Sequence, residues 1–452
     1  MYPFPEPFIK RIELQLNDDA TAFLEALCGS PVISVRKNAQ KPTEAWTDME
    51  TVAWCAEGRY LSQKPVYTLD PLFHAGCYYP QEASSMMLDW VLRSLNPVSE
   101  QLVVLDLCAA PGGKSTVIAS WLQGKGVLVC NEIVKSRSLI LLENMIKWGT
   151  PNCVVTRNAP ADFTKLDALF DIIVVDAPCS GEGLFRKDTR AIDGWSEASA
   201  AGCAVRQRDI LDAVWAALKP DGIVIYSTCT FNPTENEKNI QDFAEHYNAE
   251  ILPLNIPEQW GVVAIDIGAG NGLSFYPHRT RGEGFFIAAI RKGREEESDK
   301  IKTSAKDRFI KVSRNNSFAS LLKPQTEWIF FEDKESIRAF SATCAKELYR
   351  IRQSLNILEY GILLGEQSKK GFAPAHNLAM STAFINNSSF PEIELELPLA
   401  LKYLKGETLP PFDSPKGFTV LKHKGVILGF GKNAGTRINN LYPDRWRIRM
   451  SI

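Results

Sequence analysis

The chain has 452 residues, 45% of them hydrophobic, a length that exceeds one ordinary core and predicts two or three domains. Its formal net charge of −2 excludes a protein that coats nucleic acid over its whole surface. Ten cysteines without a C-x-x-C pair or a histidine at zinc spacing exclude a zinc site or disulfide framework and predict reduced thiols in a cytoplasmic protein. The beginning of the sequence lacks a leader pattern, and no uncharged apolar run approaches membrane-spanning length, so neither export nor membrane insertion is expected.

Residues 1–75 hold an apolar helix near 21–27 and a short strand at 32–35, too little for a core of their own. They are expected to form an N-terminal extension packed on a catalytic domain at 76–292. In that domain strands at 102–107, 126–130, 171–176 and 223–226 alternate with helices at 115–122, 136–148 and 205–218, the last closed by Lys219-Pro220-Asp221-Gly222. This alternation predicts an α/β fold, a Rossmann-like parallel sheet with helices on both faces. Asn232-Pro233-Thr234-Glu235 has the composition of a helix start, with Asn as N-cap and Glu placed for a capping box. A last sheet strand is expected at 284–291.

The charged run from Arg294 to Lys300, with its possible extension, marks a linker at 293–310. Residues 301–452 hold 23 Lys and Arg against 14 Asp and Glu, a balance of +9 that leaves −11 for residues 1–300. With Tyr442 and Trp446 among the basic residues of an alternating tail, the region 311–452 reads as a smaller, β-rich RNA-binding unit.

Cys108-Ala109-Ala110-Pro111-Gly112-Gly113-Lys114 follows the first of the sheet strands and opens a helix, so its small residues let backbone amides approach a ligand at a helix N-terminus. Gly113-Lys114-Ser115 mimics the end of a nucleoside-triphosphate loop, but that motif requires glycine where this chain has Cys108. Gly268-Ala269-Gly270 fails as a dinucleotide fingerprint because its later glycine is replaced by Leu273. Asn131-Glu132 ends the second strand, where a carboxylate accepts hydrogen bonds from both ribose hydroxyls of an adenosine. These features predict a nucleoside-bearing cofactor in a sheet like that of class I methyltransferases.

Two cysteines stand out. Cys179, in Asp176-Ala177-Pro178-Cys179-Ser180-Gly181, follows the strand at 171–176, and Cys229, in Ser227-Thr228-Cys229-Thr230, follows the strand at 223–226. Ligands of open α/β sheets bind at the carboxyl ends of the strands, so the two thiols are expected to face one substrate, with Asp176 bonding the polar edge of a ring. Either cysteine alone would more simply be a small buried hydrophobe.

On these residues the chain resembles the NOL1/NOP2/Sun family of RNA cytosine-C5 methyltransferases, and most its bacterial 16S rRNA branch, nearly end to end. Further matching motifs are Tyr79-Pro80-Gln81-Glu82-Ala83-Ser84-Ser85, Arg206-Gln207-Arg208-Asp209-Ile210-Leu211, and Pro277-His278-Arg279 leading to Glu283-Gly284-Phe285-Phe286. The resemblance implies S-adenosylmethionine as cofactor, held by residues 108–114, Glu132 and Asp176, with Cys229 as nucleophile and Cys179 serving product release. It also implies a PUA-like domain within 311–452. Where a third cofactor-contacting acid is expected, the chain has Asn158, so weaker or rearranged adenine contacts follow.

The chemistry implied is addition of the Cys229 thiolate to C6 of an unstacked cytosine, which turns C5 into a methyl acceptor while Asp176 supports the N3/amino edge. Lys114 and His278 are candidates for activating Cys229, and Arg186 and Lys187 are read either as phosphate contacts or as an ordinary solvated loop. The expected partner is 16S rRNA or the small ribosomal subunit, met by a monomer. Rival readings are a tRNA cytosine-C5 methyltransferase, an rRNA-binding assembly factor without catalysis, and a methyltransferase of proteins or small molecules.

Overall fold

The apolar runs expected as buried strands form the middle of a ten-stranded mixed sheet. The structure, a computed structural model, describes residues 2–95, 101–294, 311–312, 316–369 and 371–450. Residues 295–310 of the expected linker thus lie outside the described residues.

The N-terminal region begins with two helices, α1 (Glu6–Leu16) and α2 (Ala20–Leu27), whose Phe8, Ile12, Phe23 and Leu27 are buried. Four antiparallel strands follow, β1 (Ile33–Lys37), β2 (Thr51–Val52), β3 (Cys55–Leu61) and β4 (Tyr78–Pro80), in the order β2-β3-β1-β4, with α3 (Pro71–His74) before the last. This is more structure than expected for 1–75. It also extends further, because Tyr78, Tyr79 and Pro80 pair with β1 rather than with the catalytic sheet.

After α4 (Met87–Leu95), the central sheet is built from β5 (Val103–Asp106), α5 (Gly113–Leu122), β6 (Val127–Asn131), α6 (Lys135–Trp148), β7 (Cys153–Thr156) and β8 (Phe170–Asp176). It continues through α7 (Thr189–Asp193), α8 (Glu197–Trp215), β9 (Leu218–Thr228) and α9 (Glu237–Tyr247). Alternate residues of each inner strand enter opposite cores: Val103 and Leu105 join Leu211 and Phe243 on one face, while Val104 joins Val117, Ile118 and Leu141 on the other. Both faces are covered, so these strands read as unbroken apolar runs rather than as alternating ones.

Strands β5 to β9 are parallel in the order β9-β8-β5-β6-β7. The connections after β5 and β8 leave in opposite directions, which opens a crevice at the carboxyl ends of these two strands. On the β9 side come β10 (Glu250–Ile251), β11 (Val263–Ile267), β12 (Gly270–Phe275) and β13 (Phe285–Arg291), all antiparallel. The strand expected last therefore lies inside the sheet, between β12 and β9. Gly268 and Ala269 are the turn of the β11–β12 hairpin, and Gly270 opens β12.

The expected helix start at Asn232 is displaced. Residues 233–236 form a turn, with the Glu235 and Asn236 amides donating to the Asn232 carbonyl, and α9 begins at Glu237. Glu235 does not close a capping box because its carboxylate is engaged elsewhere, as described below.

The region read as a single C-terminal unit has two parts. Strands β14 (Lys311–Val312), β15 (Trp328–Asp333), β16 (Ser336–Ser341), β18 (Ile362–Ser368) and β19 (Gly371–Pro374) make a five-stranded sheet. From it α10 (Ala345–Ser354) packs Leu348 and Ile351 on the central core, and β17 (Ile357–Tyr360) adds to the central sheet by pairing with β7. Beyond the short helix α11 (His376–Met380), the chain forms β20 (Glu392–Glu394), α12 (Leu397–Leu404), β21 (Gly417–His423), β22 (Val426–Asn433) and β23 (Ile438–Asn440). That last unit shares a core with the N-terminal sheet, where Leu72, Cys77 and Tyr78 meet Tyr403, Leu404 and Tyr442. Among the described residues no helix is long and apolar enough to cross a membrane.

Candidate active site

The loop from Cys108 to Gly112 caps the β5 end of the crevice. Gly112 has φ 115°, a left-handed conformation that a side chain rarely adopts. The loop is fixed from outside: the Ala109 amide donates to the Asn131 carbonyl at 2.8 Å, Arg137 Nη2 to the Ala110 carbonyl at 2.8 Å, and Asn144 Nδ2 to the Pro111 carbonyl at 2.8 Å. The open amides of the first turn of α5 then face the crevice, where they favour negative or hydrogen-bond-accepting groups.

Three carboxylates surround this loop. Glu132 is buried at the end of β6, with Oε1 accepting from the Val134 amide at 2.9 Å and Arg137 3.4 Å from Oε2. Asp106 is fully buried; Oδ2 accepts from Ser115 at 2.6 Å, while Oδ1 has no hydrogen-bond partner among the described residues. Burial pushes the Asp106 carboxyl up to about 7, and the neighbouring charges of Asp176 and Glu132 add to the effect. An orphaned acceptor, two further acids and a row of amides fit a cofactor that carries ribose hydroxyls, an amine and a cationic sulfonium. Cys108 lines the loop as a neutral thiol, its pKa raised by burial.

Asn158 is placed differently from the expectation. Its Oδ1 accepts from the Asn356 amide at 3.0 Å and its Nδ2 donates to Asp162 at 3.4 Å, so the side chain ties the sheet edge to the segment before β17. Asn131 is likewise a clasp, donating to the carbonyls of Leu107 and Asn158.

The two thiols meet as expected. Cys179 Sγ and Cys229 Sγ lie 3.2 Å apart, and the Cys229 amide is 3.4 Å from Cys179 Sγ. The hydrogen bond with Cys229, followed by burial, raises the Cys179 pKa well above the ordinary thiol value, so Cys179 is held protonated beside its partner. Asp176 Oδ1 accepts from Ser227 at 2.9 Å and pairs with Lys114 Nζ at 2.8 Å. Burial opposes the Lys114 ammonium, but Asp176, with smaller contributions from Cys229 and Asp106, outweighs it and raises the Lys114 pKa. Lys114 is thereby a cation whose field reaches Cys229. His278, the other activator considered, packs against Phe23 and Tyr276, with Nε2 3.7 Å from Asp19.

Buried polar groups hold both thiol loops. Glu235 accepts from the Ser180 amide at 2.9 Å, from the Ser180 hydroxyl, and from Gln207 Nε2 at 2.9 Å, while Gln207 also donates to the Pro178 carbonyl at 3.0 Å. That accounts for Gln207 in the Arg206-to-Leu211 motif. Glu82 accepts from the amides of Ser84, Ser85 and Glu283, joining two of the sequence motifs. Arg186 turns inward to Glu283 at 2.9 Å, so it is a structural ion pair rather than a phosphate contact, and Lys187 lies 3.4 Å from the same carboxylate.

Gly183 donates its amide to the Cys229 carbonyl at 2.8 Å. A Cβ there would sit 2.5 Å from the Gly284 carbonyl oxygen and 2.8 Å from that of Cys229. Gly183→Ala is expected to displace the Cys229 loop, lowering kcat by about 10-fold or more and destabilising the fold by about 1–3 kcal/mol, as methyl-transfer rates and denaturant melts would show.

Comparison with known proteins identifies the family. Three family models match: 16S rRNA methyltransferase RsmB/F over residues 92–291, the methyltransferase RsmF PUA domain over 390–448, and the N-terminal domain of 16S rRNA methyltransferase RsmF over 4–83. The ribosomal RNA small subunit methyltransferase F of Aliivibrio fischeri (strain MJ11) is 32% identical over 425 residues, covering 91% of this chain and 88% of that one. Among solved structures, a methyltransferase homolog protein from Pyrococcus horikoshii aligns with a TM-score of 0.51 and 27% identity over 64% of this chain and all of that one. NSun6 from the same organism, solved with SFG, shares the fold with a TM-score of 0.55 and 21% identity over 65% of this chain and all of that one. With a class I methyltransferase sheet, paired thiols at its ligand edge and relatives matched along nearly the whole length, the chain belongs to the 16S rRNA methyltransferase RsmB/F family.

Proposed function

We propose that this protein methylates C5 of a cytosine in 16S rRNA, through a covalent bond between Cys229 and C6 of the base. The observation that carries the reading is the pair of sulfurs 3.2 Å apart at the carboxyl ends of β8 and β9, beside Asp176 and the Cys108–Lys114 loop. S-adenosylmethionine supplies an electrophilic methyl group on its sulfonium, and residues 108–114, Glu132 and Asp176 hold it. The same reading places the protein in the cytoplasm, where thiols stay reduced, as a monomer.

Cys229 adds to C6 as the thiolate. A free thiol of pKa ~8.5 is only partly ionised at neutral pH, and the Lys114 ammonium is the cation nearest this step. Both contacts to Asp176 among the described residues fall on Oδ1, which leaves Oδ2 for the N3/amino edge of the base. Once C6 is saturated, C5 carries enamine electron density and accepts the methyl group. A base removes the C5 proton, the C6–S bond breaks, and the departing Cys229 thiolate is received by the Cys179 S–H.

Asn158, engaged with Asp162 and Asn356, braces the pocket wall in this reading instead of contacting adenine. The test is methyl transfer from labelled cofactor to 16S rRNA, small subunits and tRNA, with nucleoside analysis. Expected is 5-methylcytidine in 16S rRNA, free or assembled. Label confined to tRNA overturns the substrate, and label in no RNA overturns the function.

A further inference from the structure

The nucleophile's loop is gripped by a part of the chain that lies outside the catalytic sheet. Helix α1 presents Arg11 and Gln15 to it, one turn apart on the same helix face. Gln15 Nε2 donates to the Phe231 carbonyl at 3.0 Å and to the Tyr276 hydroxyl at 3.2 Å. Arg11 Nη2 lies 2.7 Å from Glu182 Oε1. Glu182 has no solvent exposure, and its Oε2 accepts the Phe231 amide at 3.1 Å while Oε1 accepts from Trp195 at 2.9 Å. Phe231 is two residues beyond Cys229. Both of its backbone polar groups are therefore held by α1, one directly and one through Glu182.

The helix pair is itself seated on the same loops. Phe8 meets the Phe185 ring edge-on at 5.0 Å, and Phe23 meets Phe231 edge-on at 4.8 Å. A carboxylate buried like Glu182 needs a cation and hydrogen bonds to compensate it, and Arg11 is the cation beside it. A nucleophile misplaced by about 1 Å loses on the order of 100-fold in rate, so a clamp two residues away acts on the chemical step rather than on binding.

We infer that Arg11 and Gln15 are positioning residues, a clamp from the N-terminal helix that fixes the Cys229 loop for attack. The inference rests on Cys229 being the nucleophile.

The experiment measures steady-state kinetics of full-length Arg11→Met, Arg11→Lys and Gln15→Met proteins, together with the rate of covalent RNA-protein adduct formation when each is combined with Cys179→Ser. Expected is a fall of about 10-fold or more in kcat and in adduct formation for Arg11→Met and Gln15→Met, with KM for RNA and S-adenosylmethionine changed less than about 3-fold. Arg11→Lys restores most of the rate, because the cation beside Glu182 returns. Should Arg11→Met fail to fold, Gln15→Met, which removes only side-chain hydrogen bonds, carries the test. If Cys179→Ser forms adduct and folded Arg11→Met or Gln15→Met forms it equally fast, the clamp is overturned and the nucleophile stands. If no adduct forms in any protein and Cys229→Ser stays active, the covalent reading falls and the clamp falls with it.

Discussion

Replacing Cys229 by serine is expected to remove methyl transfer to RNA, with a loss on the order of 10⁴-fold or more in kcat and little change in cofactor affinity. The hydroxyl of Ser ionises far above the range of a thiol, and at this position the groups that would help are one ammonium, Lys114, and one protonated thiol, Cys179. Neither is a base able to strip an alcohol. The Cys108–Gly112 loop follows β5 and Cys229 follows β9, with β8 between them, so binding of S-adenosylmethionine should survive the substitution. Equilibrium binding of the cofactor and labelled methyl transfer, measured side by side, check both halves. A Cys229→Ser protein that methylates RNA at a tenth of the normal rate would remove the covalent pathway.

The second large effect falls on the partner thiol. Cys179→Ser is expected to form the bond to RNA and then stall, so that a protein-RNA species resistant to denaturant accumulates while turnover drops by roughly 100-fold. In the proposed mechanism bond formation uses Cys229, which remains. Departure loses the S–H held 3.2 Å from the leaving sulfur, and a serine hydroxyl, shorter and less acidic, stabilises a thiolate less well. Denaturing gels with labelled RNA read the adduct directly, and the Cys179→Ser/Cys229→Ser double variant should show none. An equally strong adduct in the double variant would assign the bond to another residue.

The sequence was most informative where chemistry and local geometry coincide. An apolar run followed by Cys108-Ala109-Ala110-Pro111-Gly112-Gly113, or by Asp176-Ala177-Pro178-Cys179, can only be a buried strand feeding a tight turn, and the parallel order of β8 and β9 then puts both cysteines at one edge. Elements whose identity depends on distant partners were not legible. Helix α1 is so rich in charge that its stripe of Phe8, Ile12 and Leu16 is inconspicuous, and beyond the adjacent α2 what it packs against lies more than 160 residues away. Asn232-Pro233-Thr234-Glu235 carries every local mark of a helix start, yet Glu235 is diverted to Ser180 and Gln207, which no nearest-neighbour pattern encodes. Arg186 was open to two readings, a phosphate contact or a solvated loop, and both assume exposure; its side chain is instead buried against Glu283. For Asn158, the deciding partner is Asn356, almost two hundred residues downstream.

Strand β17 has a consequence for how such a protein can be inherited. By pairing with Cys153–Thr156, it closes a flank of the central sheet that would otherwise expose the hydrogen-bonding row of an apolar strand, an invitation to pair with other chains. The segment that closes it belongs to the part of the chain leading to the basic terminal unit, and that unit in turn shares its core with the first hundred residues. Catalytic sheet and C-terminal unit are therefore not beads that recombination can trade freely. A lineage that exchanged its terminal module would have to keep the closing strand, or evolve another seal, before the exchange could be tolerated.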